Sequence, residues 1–229
     1  MILEVKNLCK NYGKKETLVK ALNDVSFKVD KGEFVAIIGA SGSGKSSLLH
    51  ILGAVDKPTS GKVYINNIDV FSQKDDELAV FRRRKVGLIY QFYNLIPILN
   101  VEENITLPIL LDKGKVDKNY LNELIEILGL KNRINHLPNE LSGGEQQRVS
   151  IGRAIISKPD IILADEPTGN LDSKASIDII NLLKLCNTKY NQTIIMITHD
   201  ENLAKMANRI ITMKDGTIIS DEVNHENTK

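Results

Sequence analysis

The sequence predicts an α/β fold in which helices cover both faces of a mostly parallel β-sheet. Short, wholly apolar segments such as residues 161–164 alternate with longer segments of helical spacing such as 173–190. The alternation is interrupted over residues 94–157, which have no strand pattern, and then resumes. The 229 residues, 42% hydrophobic and 26% charged, are enough for one globular domain.

The first third of the chain is rich in predicted strands. Apolar residues alternate at Val25, Phe27 and Val29, which is the period of a half-buried strand. One helix is expected after the glycines that follow residue 38, and a charged stretch has the character of another. We therefore predict strands at 3–8, 21–29, 33–38, 62–65 and 86–89, and helices from 45 to about 55 and at 75–84.

The middle third is predicted to be helical. Leu121, Leu124, Ile125 and Leu128 form one apolar face at helical spacing, and Gly129 is typical of a helix end. This pattern predicts a helix over 116–128, and a second helix is expected from about 145 to 157. In the last third we predict strands at 161–164, 193–198, 210–213 and 217–219, and helices at 173–190 and 201–207.

The charge balance and the cysteines argue against several classes of protein. Thirty Lys and Arg residues against 29 Asp and Glu leave a net charge of +1, so no overall basic field would attract the chain to nucleic acid. Cys9 and Cys186 lack metal-ligand spacing and are expected to be free thiols in a reducing compartment. No apolar run is long enough to cross a membrane and the start lacks a signal-peptide pattern, so we expect a soluble chain.

Residues 39–46 match the pattern G-x-x-x-x-G-K-[ST] between a predicted strand and a predicted helix. In that context the glycines let successive backbone N–H groups face one anion at a helix N-terminus. Lys45 is expected to reach the outer phosphates and Ser46 to hold Mg²⁺. The alternative is a Gly/Ser-rich turn that binds no ligand. Such a turn would not need every fixed position of the pattern, and here every one of them matches. The predicted ATP-binding residues of this phosphate loop are Gly39, Ser41, Gly42, Ser43, Gly44, Lys45, Ser46 and Ser47.

Two carboxylates, Asp165 and Glu166, follow the predicted strand 161–164. Because parallel strands end at the same edge of a sheet, both should lie beside the phosphate loop. We predict that Asp165 holds Mg²⁺ and that Glu166 deprotonates the attacking water. The pair alone would equally fit a solvated strand end, and the phosphate loop favours the catalytic interpretation.

The segment 141–149 reads Leu-Ser-Gly-Gly-Glu-Gln-Gln-Arg-Val. By itself it is an N-cap serine with flexible glycines at the start of a helix. As a whole it resembles the signature motif of the ATP-binding-cassette (ABC) ATPases. The resemblance covers essentially the whole chain, because the other motifs follow in the order of that family: Tyr12, the phosphate loop, Gln91, the signature, Asp165 with Glu166, residues 169–172 and His199.

The resemblance implies a single ABC ATPase domain over residues 1–229. Its parts would be a P-loop NTPase core of the RecA-like type, an antiparallel β subdomain near the N-terminus and an inserted α-helical subdomain. The core and the β subdomain would comprise residues 1–91 and 160–221. The helical subdomain with the signature would comprise 92–159, followed by a polar tail at 222–229.

The resemblance also implies roles for single residues. Tyr12 would stack on adenine, Gln91 would contact Mg²⁺ and the attacking water, and His199 would contact the γ-phosphate. Asp172 would lie in the loop that crosses between protomers, which reads Gly-Asn-Leu-Asp here and Ser-Ala-Leu-Asp in many ABC proteins. One phosphate loop and one signature per chain imply a homodimer around two Mg-ATP, in which each ATP is capped in trans by Ser142, Gly143, Gly144 and Glu145.

Three further strings, at residues 90–104, 107–108 and 165–172, look like one bacterial branch of the family. That branch comprises ATPases of lipoprotein release, of macrolide and antimicrobial-peptide export, and of cell division. The resemblance implies an ATPase at the cytoplasmic face of the membrane that drives an integral permease subunit to export or extract a substrate, with no nucleic-acid partner. An ABC ATPase that regulates a membrane partner without transport is the alternative.

The apolar segment 92–111, which begins directly after Gln91, is the candidate contact for the permease. It contains Pro97 and Pro108 and is also consistent with a buried loop. A soluble ABC ATPase of translation or DNA repair would usually carry tandem cassettes, a coiled-coil insertion or a basic arm, and a small-molecule kinase would have no use for the signature. The choice of substrate would belong to the partner chain.

Overall fold

The computed structural model describes residues 1–224, without the side chain of Glu16. Within these residues the strands, in chain order, are β1 Leu3–Tyr12, β2 Val19–Val29, β3 Phe34–Ile38, β4 Ser60–Ile65, β5 Ile68–Asp69, β6 Val86–Ile89, β7 Ile161–Asp165, β8 Thr193–Ile197, β9 Arg209–Lys214 and β10 Thr217–Val223. The α-helices are α1 Lys45–Leu52, α2 Asp75–Lys85, α3 Val101–Leu111, α4 Lys118–Ile127, α5 Gly143–Ile155, α6 Ser173–Tyr190 and α7 Glu201–Ala204.

The strands form two sheets. A six-stranded sheet has the order β10-β9-β3-β8-β7-β6, and all of its neighbours are parallel except β10, which pairs antiparallel with β9 at the edge. A four-stranded antiparallel sheet has the order β2-β1-β4-β5. The predicted α/β fold, with a mostly parallel core sheet and an antiparallel β subdomain, is confirmed.

The central strand β3 is buried on both faces, which explains its apolar sequence. Phe34 and Ala36 point into a core shared with helices α3 to α6. Val35 and Ile37 point into a second core, which the sheet shares with α1, α2 and the antiparallel sheet. Each such side chain contributes about 1.5–3 kcal/mol on burial, so the end of β3 is a rigid support for the loop that follows it.

The segment between β6 and β7 contains α3, α4 and α5 and no strand, as the sequence predicts. Helix α3 is absent from the predicted elements. It begins at a capping box in which the Asn100 side chain accepts from the N–H of Glu103 and the Glu103 carboxylate accepts from the N–H of Asn100. The sequence does not indicate this helix, because its residues are mostly apolar and because a proline usually interrupts a helix. In the structure, Pro108 lies inside the helix.

Several predicted boundaries are wrong, and the two-residue β5 is not predicted at all. Strand β1 continues to Tyr12 and β2 begins at Val19 because the two strands pair with each other over that length. Helix α1 ends at Leu52, where Gly53 caps it, instead of near residue 55. Helix α5 begins directly after its N-cap Ser142 and ends at Ile155, and α7 stops at residue 204.

The predicted polar tail 222–229 overlaps the last strand, since β10 extends to Val223. Residues 225–229 of that tail lie outside the described part of the chain. Among residues 1–224, no helix has both the length and the apolar character needed to cross a bilayer.

Candidate active site

The phosphate loop joins the carboxyl end of β3 to the first turn of α1. Gly44, the N-cap of α1, has φ +97°, and a Cβ there would lie 2.3 Å from the carbonyl oxygen of Ala21. A Cβ on Gly39 would lie 2.2 Å from the carbonyl oxygen of Met213. Both positions therefore require glycine. The loop is held against β2 and β9 in a shape that other residues would not permit.

Lys45 lies within the loop and is only 8% exposed. Its ammonium group donates to the carbonyl oxygens of Gly39 and Ala40, both at 2.8 Å, and lies 3.4 Å from Oγ of Ser43. These contacts fix a positive charge inside the curl of the loop, at the N-terminus of α1. An anion such as a polyphosphate is the ligand that this arrangement suits.

A cavity of about 380 Å³ opens beside the loop. Two of the predicted catalytic residues, Glu166 and His199, share this cavity with the phosphate loop. Its lining also includes three residues of β2 that carry no motif. The full lining is Val19, Lys20, Ala21, Ser41, Gly42, Gly44, Lys45, Ser46, Ser47, Glu166 and His199.

Asp165 ends β7 with a half-buried side chain. Burial raises the pKa of Asp165 and the negative charge of Glu166 adds to the rise, while His50 and Lys45 act in the opposite direction. Its Oδ1 is buried and has no hydrogen-bond donor among the described residues. A buried carboxylate oxygen without a donor is suited to a cation or its bound water.

Magnesium fits this donor set. Mg²⁺ usually takes one or two protein ligands and completes its shell with water and substrate phosphates. Asp165 and Ser46 would hold the ion. Residues 1–224 contain no cluster of three or more His, Cys, Asp or Glu side chains that could hold a metal ion.

Glu166 has an unusual backbone conformation, with φ +46°. Its N–H donates to the carbonyl oxygen of Ile197, and its Oε2 lies 2.9 Å from Nδ1 of His199. A left-handed φ is rare for a residue with a long side chain and costs about 1–3 kcal/mol, and such strain concentrates at functional sites. The Glu166 side chain lines the cavity together with His199.

Gln91 and the loop after β7 contact each other. Nε2 of Gln91 lies 3.4 Å from Oδ1 of Asn170, and Nδ2 of Asn170 donates to the backbone oxygen of Gln91 at 3.0 Å. Two residues further along this loop, the Asp172 side chain caps α6 by accepting from the N–H of Ala175. The structure therefore joins two predicted motifs, at Gln91 and at residues 169–172, in one contact.

Tyr12 is at the end of β1 and is 40% exposed. Its hydroxyl donates to Asp56 at 2.8 Å, and the ammonium group of Lys10 lies 4.7 Å from the centre of its ring. Among the described residues, Tyr12 is not part of the cavity lining, but its strand partner Val19 is. Tyr12 thus lies beside the cavity, and adenine stacking on it stays a prediction.

The signature segment forms a tight helix start. Oγ of Ser142 accepts from the N–H of Glu145, and the Glu145 carboxylate accepts from the N–H of Ser142 at 2.8 Å and from Arg133 at 2.9 Å. These donors, first the Ser142 N–H, hold the pKa of Glu145 below its usual value. Gly143 packs closely on Tyr93, since a Cβ would lie 2.8 Å from its hydroxyl.

Residues 22–169 match the sequence model of a protein family, which is described as ABC transporter. The chain belongs to this family. It is 43% identical over 222 residues to the lipoprotein-releasing system ATP-binding protein LolD of Geobacter metallireducens, a match that covers 96% of this chain and 99% of LolD. It is also 43% identical to the macrolide export ATP-binding/permease protein MacB of Bdellovibrio bacteriovorus, with coverage of 96% of this chain and 34% of MacB.

Solved structures agree with the family. A dimeric, post-hydrolysis structure of the ATP-binding cassette MJ0796 bound to ADP and Pi has a TM-score of 0.87 and 43% identity, with 98% of this chain and 99% of that chain covered. MJ0796 is an uncharacterized ABC transporter ATP-binding protein of Methanocaldococcus jannaschii. This ABC protein is accordingly an ATPase, with ATP and Mg²⁺ as its cofactors.

The structure brings together some of the predicted residues of this ABC ATPase and separates others. The phosphate loop, Glu166 and His199 line one cavity. Other predicted site residues are outside that lining: Tyr12, Gly39, Ser43, Gln91, Asp165, Asp172 and the signature residues. Val19, Lys20 and Ala21 of β2 line the cavity without having been predicted. The available signal is that β2 pairs with β1, the strand that ends at Tyr12.

Proposed function

We propose that this ABC ATPase is the energy-coupling subunit of an exporter or extractor, working as a homodimer around two Mg-ATP at the cytoplasmic face of the membrane. The supporting observation is the cavity in which the phosphate loop, Glu166 and His199 meet. The names of LolD and MacB favour a lipoprotein or a macrolide antibiotic as the substrate. An integral permease subunit would be the partner.

The residues of the cavity suggest the steps of hydrolysis. Lys45 would donate to the outer phosphates, and bound Mg²⁺ would neutralise phosphate charge. Glu166 would take a proton from a water whose oxygen bonds to the γ-phosphorus, while the bond to the ADP oxygen breaks and ADP keeps the electron pair. Since Nδ1 of His199 faces Glu166, its Nε2 is left for the γ-phosphate.

The signature residues are proposed to act on the ATP of a second copy. Ser142 is exposed and the first turn of α5 is half-buried, and such a helix start favours an anion. The MJ0796 structure is dimeric and bound to ADP and Pi. A shared nucleotide would join two copies of this chain, and loss of the γ-phosphate would let them part.

Replacing Ser142 by Arg is expected to prevent this dimer, because bulk and a flexible side chain would occupy the position of the partner's phosphate. Light scattering with Mg-ATP in a Glu166→Gln background measures the mass. Ser142→Ala is the matched control, since it loses the cap, worth about 1 kcal/mol, without adding bulk, and should still dimerise. A Ser142→Arg protein that dimerises like the control would contradict the sandwich arrangement.

The permease is proposed to dock on the segment 92–111. Ile98 is 83% exposed and Leu111 61% exposed, which is unusual for aliphatic side chains. Leu111 also lines a groove of about 370 Å³ with Leu107 and Pro108, between α3, α2 and α5, and Arg82, Arg83 and Arg153 line the same groove. A cytoplasmic helix with one apolar face would fit such a groove. Leu95 belongs to the same segment but packs against the core, so it is not part of the proposed docking surface.

The double substitution Ile98→Glu and Leu111→Glu should abolish co-purification with the permease and its stimulation of ATPase activity, while basal ATP binding stays unchanged. Ile219→Glu is the matched control, because Ile219 is 59% exposed on β10, away from this segment. If the permease still binds and stimulates the double variant, docking is elsewhere. A loss of ATP binding would show that these side chains support the fold.

A further inference from the structure

Asn170 and Gln91 form a reciprocal amide contact between residues 79 positions apart. The NH₂ group of Asn170 is used by the backbone oxygen of Gln91, so its Oδ1 is the atom that faces the Gln91 side chain. Gln91 must therefore present its own NH₂ group there, because the opposite orientation would bring two oxygens together. This leaves the oxygen of the Gln91 amide directed away from Asn170.

The residue before Asn170 makes the contact possible. A Cβ on Gly169 would lie 2.7 Å from Nε2 and 2.9 Å from Cδ of Gln91, so only glycine lets the Gln91 amide lie against this loop. Ser-Ala in place of Gly-Asn would add a Cβ at 169 and would remove the amide at 170. The Gly-Asn sequence of this chain is thus matched to the Gln91 side chain on both counts.

One buried side chain of α5, the helix that begins at the signature, contacts the backbone just before Gln91 and just before Gly169. Nε2 of Gln147 donates to the carbonyl oxygen of Pro167 at 2.6 Å and lies 3.4 Å from that of Tyr90. Arg153 of the same helix donates to the carbonyl oxygens of Tyr93 and Asn94. With the backbone fixed at these points, the Asn170 contact determines the orientation of the Gln91 amide.

We infer that Asn170 is a positioning residue that orients Gln91 so that its amide oxygen, a suitable ligand for Mg²⁺, faces the nucleotide. The inference rests on the proposed metal role of Gln91. Asn170 would act as an outer-shell partner, a class whose loss typically lowers metal affinity or activity about 10- to 100-fold. Since the same loop leads to Asp172, a movement of this loop at the dimer interface would also move Gln91.

Asn170→Ala is expected to lower kcat about 10-fold and to raise the Mg²⁺ concentration for half-maximal ATPase activity by a similar factor, with the ATP affinity unchanged. Gly169→Ala should have the same effect by a different route, because its Cβ displaces the Gln91 amide. Steady-state ATPase assays over a range of Mg²⁺ concentrations give kcat and the Mg²⁺ dependence. Titration calorimetry with ATP, with and without Mg²⁺ in a Glu166→Gln background, measures binding without turnover: the affinity without Mg²⁺ should stay at the parent value, and the gain in affinity on adding Mg²⁺ should shrink. Thermal unfolding measurements serve as the control that each variant is folded.

A double-mutant cycle separates positioning from simple loop stability. In a Gln91→Ala background, Asn170→Ala should cause no further loss, because the amide that it orients is gone. A loss of equal size in that background, or an unchanged Mg²⁺ dependence in both single variants, would overturn the inference. If Gln91→Ala itself left the Mg²⁺ dependence unchanged, the proposed metal role of Gln91 would fail instead.

Discussion

The variant Glu166→Gln is expected to bind Mg-ATP with parent affinity and to hydrolyse it about 10²–10⁴ times more slowly, the usual contribution of a general base. The substitution keeps the shape of the side chain and a polar group beside Nδ1 of His199, which lies 2.9 Å from the Glu166 carboxylate. It removes the negative charge of the carboxylate and with it the ability to take a proton. The result is read from single-turnover hydrolysis and nucleotide titration, and the trapped ATP should hold the protein as a closed dimer.

The companion variant His199→Ala removes the partner of Glu166 and leaves the carboxylate. Comparing the two variants shows how much of the loss of hydrolysis rate comes from the carboxylate itself. His199 is 75% exposed and touches Glu166 through one hydrogen bond, so its removal should reduce the rate without affecting the fold. Hydrolysis at the parent rate in Glu166→Gln would mean that another group activates water. In that case the carboxylate at φ +46° would need a different explanation.

Much of the fold can be predicted because its strongest elements have local patterns. Helix α6 spans the predicted residues, and β6 does the same, since their apolar residues repeat at the period of each element. The ends of β1 and β2 could not be predicted, because they depend on pairing between Tyr12 and Val19 across the hairpin. Helix α3 was hidden by a proline and by apolar residues that point both inward and outward.

In the candidate site, too, some features could be predicted from the sequence and others could not. Lys45 and its glycines form one continuous motif, so their arrangement could be predicted from the sequence. The unpartnered oxygen of Asp165 and the contact of Asn170 with Gln91 depend on strands and loops far apart in the chain. The left-handed backbone of Glu166 has no local signal, because glutamate rarely adopts it.

Replacing Lys45 by Ala is expected to weaken ATP binding about 10- to 150-fold, which corresponds to the loss of a charge-assisted hydrogen bond of about 1.5–3 kcal/mol. The ammonium group is almost fully buried within the loop, so water would compensate poorly for it. Two carbonyl oxygens, those of Gly39 and Ala40, would also lose their donor. The fall in affinity should therefore accompany a small drop in thermal stability without nucleotide.

Lys20→Ala is the matched control, since Lys20 lines the same cavity but is exposed to solvent and lies outside the phosphate loop. Its charge is screened by water, so its loss should change ATP affinity by only a few fold. Titration calorimetry of both variants with Mg-ATP makes the comparison. If Lys45→Ala bound as tightly as Lys20→Ala, the charge inside the loop would not be what holds the phosphates. Binding would then depend on the backbone N–H groups and the start of α1 alone.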